Sequence, residues 1–474
     1  MVTAMATTVG VSLAPSPQAT TIAQRLDRLP LTWTLWRLGL IAQAGWALVI
    51  ASDGIAARIY PFVWGPRHAF DTTRFSVLLV VSTGLGIVAG EYLFAALADR
   101  FGRRNILVAA ALVCGVGTLP AAFTDNFYLL LVFLGLGATG IGGVIATNIV
   151  YLAEIAPSGV RGRMTQSSQA FAIFLLNGVV SLFAIALMPQ HYQAYIGVIA
   201  AAPLLIYVPL VALLLPESPR WLDAHARHAE AEMIVAKLEH DSERRAGHLP
   251  PPDLSQPSPQ PKVDWRDLFG SRYGRRTVLL LTCWILGYSG LVYGPIGFMA
   301  LYLAREGFSA RTIFTAALVG SAIGAPLVML GSARLNERFE RRHLILAGAT
   351  MASVGMLLVV ANSLEWRSLV ALSAAQILVS SGFYLWLFNM YTYTAVAYPT
   401  SIRSVATGWT DGFGHIGSML SPIIVGTLFA ATATAGYWGF FVYVVVPGAL
   451  LPALLLARFG LNQRGRALEA LTGM

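Results

Sequence analysis

Between two apolar runs, residues 76–97 and 104–122, the chain reads Ala98-Asp99-Arg100-Phe101-Gly102-Arg103-Arg104; after the run at 312–333 it reads Glu337-Arg338-Phe339-Glu340-Arg341-Arg342. A second echo accompanies the first. Tyr151, Pro157 and Arg161 recur with the same spacing as Tyr393, Pro399 and Arg403, each set following a long apolar run. Short charged loops set between apolar runs of about 20 residues mark a chain that crosses a bilayer many times. Their recurrence marks two similar halves.

Outward from these loops, twelve apolar runs are found. The first half holds 36–57, 76–97, 104–122, 127–153, 165–188 and 193–215; the second holds 276–303, 312–333, 342–361, 367–393, 404–430 and 435–457. Composition agrees: of 474 residues, 56% are apolar and 12% charged, about half the charged share of an ordinary soluble domain. A disordered chain and a water-soluble enzyme are thereby excluded. The net charge of +9 sits in arginines that punctuate apolar segments rather than in a basic tract, so nucleic acid is not an expected partner. Cys114 and Cys283 each lie inside an apolar run, which offers neither a disulfide framework nor a zinc pattern.

The expected fold is an all-α membrane protein of twelve transmembrane helices in two pseudo-symmetric six-helix bundles. Residues 1–30 form a tail with a short surface helix at Ile22–Leu29 closed by Pro30, and 31–215 form the first bundle. Residues 216–275 form a hydrophilic linker, with a surface helix near Ala229–Glu239 and a Pro-rich stretch from Pro250 to Pro261; 276–457 form the second bundle and 458–474 a tail. The first 20 residues lack the charged start and compact apolar core of a secretory signal. Lys and Arg gather in the loops that place both termini and the linker in the cytoplasm. The expected location is the cell (inner or plasma) membrane, as a monomer.

The sequence resembles the major facilitator superfamily, and within it the sugar-porter and metabolite–proton symporter branches. The resemblance is carried by Ala98–Arg104, by Glu154-Ile155-Ala156-Pro157 with Arg161-Gly162-Arg163, and by Pro216-Glu217-Ser218-Pro219-Arg220-Trp221-Leu222. The lead-in Arg25-Leu26-Asp27-Arg28-Leu29-Pro30-Leu31 is similar to that of metabolite–proton symporters. The resemblance implies a cytoplasmic gate of Asp99, Arg100, Gly102, Arg103, Arg104, Glu154, Arg161, Glu217 and Arg220, with Glu337, Arg338, Arg341 and Arg403 as its second-half counterpart. Gly102 keeps the loop short, and the acids and arginines can form forked ionic contacts that latch one state. The other reading is topogenic charge alone. Val396 stands where the second half would carry the acid matching Glu154, and Glu340 replaces the loop glycine, so the second latch is expected to be weaker or differently wired.

Charged groups at membrane depth are costly and therefore functional candidates. Asp53, Glu91, Asp411 and His415 are the candidates for proton coupling. Asp53 either carries a proton or pairs with Arg58. Glu91 carries a proton or bonds between helices. Asp411 and His415, four residues apart, share a helix face among Gly408, Gly412, Gly414 and Gly417, which favour the bundle interior. His415 occupies the place where related symporters commonly have Arg in a Gly-Arg-Ile-Gly pattern, which exchanges a fixed cation for a titrating imidazole.

Candidate solute-binding residues are Asn148, Gln166, Gln169, Asn177, Trp284, Tyr288, Ser289, Tyr293, Tyr384, Trp386 and Asn389, each weighed against ordinary packing. The resemblance implies that helices 1, 4, 7 and 10 line a central path. Rings and amides suit a polyhydroxylated ring or a small aromatic acid. No Walker loop is present to supply direct ATP drive, no nucleophile–base or metal-ligand spacing marks an enzyme, and no cofactor is expected. The expected function is secondary active transport of a small organic solute, sugar or polyol or organic acid, coupled to protons. The alternatives are a proton-antiport exporter of drugs or metabolites and a transporter-like receptor that binds solute without flux.

Overall fold

The computed structural model describes residues 21–157, 164, 178–251, 265–398, 403–431 and 438–462. Among the described residues every regular element is helical. Ten helices are long and apolar enough to cross a bilayer, and two shorter apolar helices bring the series to twelve. The first half comprises α1 (Trp33–Asp53), α2 (Thr72–Phe101), α3 (Arg103–Phe123), α4 (Phe127–Ile155), α5 (Gly178–Leu187) and α6 (Tyr192–Leu214). The second comprises α7 (Gly274–Arg305), α8 (Ala310–Arg338), α9 (Arg341–Trp366), α10 (Leu369–Val396), α11 (Arg403–Gly414 and Ile416–Ala431) and α12 (Val446–Phe459). Between 33% and 61% of each spanning window of the ten is buried inside the protein. The remaining apolar faces, carrying Leu93, Val132, Leu213 and Val370, look outward, as hydrocarbon requires.

Local chemistry sets the helix limits. Asp71, Asn126, Ser309 and Ser368 precede α2, α4, α8 and α10, and each side chain accepts a backbone N–H of the first turn, filling donors that a helix start leaves unpaired. Between α2 and α3 the chain reverses at one residue, Gly102, with φ of +94°. That conformation is open to glycine at little cost.

The halves repeat one packing scheme. In the first, α4 lies against α2 and α3; in the second, α10 lies against α8 and α9. Small residues permit the approach: a Cβ on Gly142 of α4 would stand 2.0 Å from the Ile87 carbonyl oxygen of α2.

Contacts between the halves gather at the end away from the arginine loops. There α2 packs on Ile416–Ala431 of α11, and Ile55–Ile59, just after α1, packs on the far part of α7. Phe75 meets the Phe298 ring edge-on at 5.3 Å, and Phe62 meets Phe314 at 5.9 Å. At the arginine-rich end, helix Ile22–Asp27 and linker helix His228–Ala246 lie against the first half. Leu26, Leu29, Val235 and Leu238 are buried in its core.

Candidate functional site

At the arginine-rich end the charged motifs of the first half form one network. Arg103 is 9% exposed at its side chain and grips Glu154 with a forked contact, Nη2 to Oε1 at 2.8 Å and Nε to Oε2 at 3.1 Å. It also meets Asp99 at 3.0 Å and donates to the Ala98 carbonyl at 2.8 Å. Glu217 sits at the start of α3: Oε1 accepts the Arg103 N–H at 2.9 Å, and both oxygens accept that of Arg104 at 3.2 Å. A carboxylate so placed fills unpaired donors and meets the positive end of the helix dipole. Burial pushes the Glu217 carboxyl above its ordinary value, against the pull of the backbone N–H groups of Ser218, Arg104 and Arg103.

Glycine at 102 has a second cause here, since a Cβ would lie 2.3 Å from Glu217 Oε2. Arg220 donates to the Glu154 carbonyl at 3.0 Å and to Asp27 at 2.8 Å. Arg100 is exposed and lies over the Phe101 ring. Among the described residues, the partners of Arg103, Glu154, Glu217 and Arg220 named above belong to the first half, its lead-in or the start of the linker. Arg161 lies outside the described residues.

The second half keeps part of this arrangement. Arg104 donates to the Ala212 carbonyl near the end of α6, and Arg342 donates at 3.0 Å to the Gly460 carbonyl after α12. Tyr151 donates to the Pro216 carbonyl at 3.1 Å; Tyr393 donates to that of Leu461 at 3.2 Å. The repeat thus ties the last turn of α6 and of α12 to its own half. Arg338 is exposed and Arg341 half-buried at the start of α9. The side chains of Glu337 and Arg403 lie outside the described residues.

Deeper between the halves, His415 interrupts α11. Its carbonyl accepts the Ser418 hydroxyl at 2.5 Å. The ring is tilted on Tyr288 with centroids 4.9 Å apart, and Nε2 lies 3.5 Å from Glu91 Oε1 of α2. Thus Glu91 and His415, read separately from the sequence, meet across the two halves. Asp411 lies one turn earlier in α11, its side chain outside the described residues. His415 Nδ1 and Asp53 Oδ1 are buried and have no hydrogen-bond partner among the described residues.

Around His415 stands an aromatic wall. Trp284 and Tyr288 of α7 are 5.2 Å apart, and Trp284 meets Trp386 of α10 at 5.7 Å and Tyr391 at 4.9 Å. The phenol oxygens of Tyr288 and Tyr391 are 3.2 Å apart, and Trp284 donates to Thr394 at 3.1 Å. A π-helical stretch, Tyr288–Tyr293, carries Tyr293 onto the edge of Tyr288; such local widening recurs at functional sites.

The remaining candidates divide. Asn148 donates to Gln43 of α1 at 3.2 Å, and Asn389 donates to the carbonyl of Leu385 in its own helix at 2.8 Å. The carbonyl oxygen of each amide is buried without a partner among the described residues. Ser289 bonds the main chain at Ile285 and Gly417. Tyr384 packs with Ala325, Val328 and Leu385, with Trp46 of α1 against that cluster. Gln166, Gln169 and Asn177 lie outside the described residues. Gln43, Tyr391 and Thr394 were absent from the sequence reading. An amide inside the otherwise apolar run Leu38–Ala51 of α1 was the available signal for Gln43; Tyr391 and Thr394 carry none apart from their neighbours in α10.

Twelve helices in two repeated halves, with buried polar groups meeting between them, define a major facilitator transporter. The family model described as sugar (and other) transporter matches residues 38–461, and the chain belongs to that family. It is similar to the niacin transporter NiaP of Acinetobacter baylyi, 27% identical over 462 residues that cover 95% of this chain and 99% of that protein. It is also similar to the gallate transporter of Pseudomonas putida, 29% identical over 418 residues covering 85% and 87%. Among solved structures, the inward-open xylose transporter XylE from E. coli superposes with a TM-score of 0.63 at 17% identity, over 93% of this chain and 98% of that one. That likeness speaks for the fold alone.

Proposed function

We infer that this chain is a proton-coupled transporter of small aromatic acids, working by alternating access around the Glu91–His415 contact. The reading rests on one observation: the pair that joins the halves stands beside the wall of Trp284, Tyr288, Trp386 and Tyr391. Flat rings offer faces to a planar solute, and an imidazole that meets a carboxylate can exchange a proton or meet an anion. A sugar calls instead for several free hydrogen-bonding groups, whereas Asn148 and Asn389 each already spend one N–H within the protein. The niacin and gallate relatives support an aromatic acid over a sugar.

In this reading the arginine-rich end faces the cytoplasm, with residues 1–30, the linker 216–275 and the tail 458–474 on that side. The halves touch at the outer end, so the structure is inward-facing. The first-half network of Asp99, Arg100, Gly102, Arg103, Arg104, Glu154, Arg161, Glu217 and Arg220 braces its bundle during rocking. Glu337, Arg338, Arg341 and Arg403 do so in the second half with fewer acids. Asp53 is the proton carrier of α1; Glu91, Asp411 and His415 tie protonation to the position of the halves. The solute lies among Asn148, Gln166, Gln169, Asn177, Trp284, Tyr288, Ser289, Tyr293, Tyr384, Trp386 and Asn389.

The test is uptake of labelled nicotinate, gallate and xylose into proteoliposomes with an imposed pH gradient, with and without a protonophore. The expected result is protonophore-sensitive uptake of an aromatic acid, abolished in Asp53→Asn and reduced at least about tenfold in His415→Ala. Transport that ignores the protonophore and is unchanged in both variants removes the coupling assignment. Uptake of xylose alone removes the substrate assignment.

A further inference from the structure

At the far end of α1 a cavity of about 10 Å³ lies between the halves, lined by Asp53, Leu79 and Thr83 of the first and by Tyr293, Gly297 and Pro422 of the second. About 10–15 Å³ is the least volume that admits one water molecule, which also requires two or more polar partners. Asp53 Oδ1, buried and without a hydrogen-bond partner among the described residues, is one such group. Thr83 is another. Its hydroxyl donates to the Leu79 carbonyl at 2.7 Å, which leaves oxygen lone pairs to accept. A buried carboxylate oxygen with nothing to accept is costly, and it is met most simply by a small donor.

Among the described residues, the charged and titratable neighbours are few. Arg58 folds back over Gly54, where a Cβ would lie 1.9 Å from its Nη1, and is the charge that acts on Asp53. Tyr195 of α6 stands beside Arg58. Tyr293 borders the cavity from α7, while α2 and α11 present Thr83 and Pro422, which do not titrate.

We propose that this chamber is a binding site for a single water molecule, held by Asp53 Oδ1 and Thr83 Oγ1, which hydrates Asp53 while this end is closed. The inference rests on the reading of Asp53 as the proton carrier. Loading takes place while this end is open, when a hydronium ion of the bulk gives up one O–H bond as an O–H bond forms on Asp53 Oδ1. A neutral water and a neutral carboxyl group remain. Because both halves wall the chamber, it exists only while they are closed at this end. Separation there opens Asp53 to bulk water on that side, and closure traps the loaded carboxyl with its one water. A leak back through the closed end is thereby prevented.

The test needs no solute. Infrared difference spectra between acid and alkaline forms are recorded on the full chain in lipid, in ordinary and in heavy-oxygen water. The parent is expected to show a carboxyl band that is lost in Asp53→Asn, and a water O–H stretch that moves to lower frequency in heavy-oxygen water. Thr83→Val removes an acceptor at nearly constant volume. Gly297→Ala adds a methyl 3.1 Å from Leu79 Cδ1, filling the chamber. Both variants are expected to lose the isotope-sensitive stretch, and Thr83→Ser to keep it. Should Gly297→Ala misfold, Thr83→Val carries the test.

A carboxyl band that persists in Asp53→Asn shows that Asp53 is not the carrier and overturns the reading beneath the inference. A band lost in Asp53→Asn, with the isotope-sensitive stretch missing in the parent or intact in both chamber variants, overturns the chamber alone. Loss of that stretch when sodium replaces choline in the buffer assigns the chamber to sodium and also overturns it.

Discussion

Glu91 and His415 face each other across the boundary between the two halves, with Oε1 and Nε2 3.5 Å apart and side chains 16% and 10% exposed. The contact joins helices whose relative position must change during alternating access. It is made in the state that is closed at the end away from the arginines. A contact present in one state and broken in another biases the equilibrium by its own free energy.

Removing either partner is therefore expected to favour opening at that end. A polar contact of this kind contributes no more than a typical hydrogen bond, roughly 0.5–1.5 kcal/mol, so Glu91→Gln or His415→Ala should change the ratio of the two states by about two- to tenfold. Distance distributions between labels at Phe123 and Val370, exposed ends of α3 and α10, report it. The double variant should add little to either single change, because both remove the same contact. Fully additive shifts rule out a shared contact.

Glu217 serves α3 as a cap, which gives a stability test separate from transport. Glu217→Ala leaves the N–H groups of Arg103 and Arg104 unpaired and should lower stability by about 1–3 kcal/mol. Gly102→Ala must adopt a positive φ and collide with Glu217 Oε2, a cost of at least about 1 kcal/mol. In the combination Gly102→Ala with Glu217→Ala the collision is gone, so the two losses should sum to less than their total. Thermal unfolding in detergent, followed by tryptophan fluorescence, measures all three.

The paired tyrosines allow a comparison between halves. Tyr151 makes one bond to the end of α6, whereas Tyr393 donates to the Leu461 carbonyl and also accepts the Leu461 N–H at 2.5 Å. Each Tyr→Phe change should cost about 0.5–1.5 kcal/mol, with Tyr393→Phe the larger. Equal losses would show that the second bond contributes nothing.

The lead-in helix is held to the linker helix by Glu239. Arg25 Nη2 lies 2.6 Å from Oε2 and Arg28 Nη2 2.7 Å from Oε1. Burial raises the Glu239 carboxyl, but the Arg25 and Arg28 contacts outweigh it and hold the group below its ordinary value. An unpaired Glu titrates near about pH 4.3. The docking contribution is therefore complete above that pH and is lost as pH falls through the lower value of the docked state. A spin label at Met233, 66% exposed on the linker helix, should stay immobile from neutral pH to about pH 5 and loosen only in stronger acid. Glu239→Gln should loosen it at neutral pH. An unchanged label in that variant excludes the clamp.

Much of this protein was legible before any coordinates. Apolar runs of bilayer length, and loops that recur with fixed spacing, fixed twelve helices and two halves, because hydrocarbon leaves the backbone no alternative to internal hydrogen bonding. Gly102 and the acids and arginines near it also stood out, since charge is scarce in this composition. What only the tertiary structure decided is which distant groups meet. Four residues make one helical turn and put Asp411 and His415 on one face, but nothing in that spacing points to Glu91, which stands 3.5 Å from His415 on another helix of the other half. Asn148 gave no hint of Gln43, nor Glu239 of Arg25 and Arg28. Periodicity encodes the face a residue occupies within its own helix. The neighbour across the gap depends on how helices are ranked and rotated, and that is settled by packing summed over all twelve.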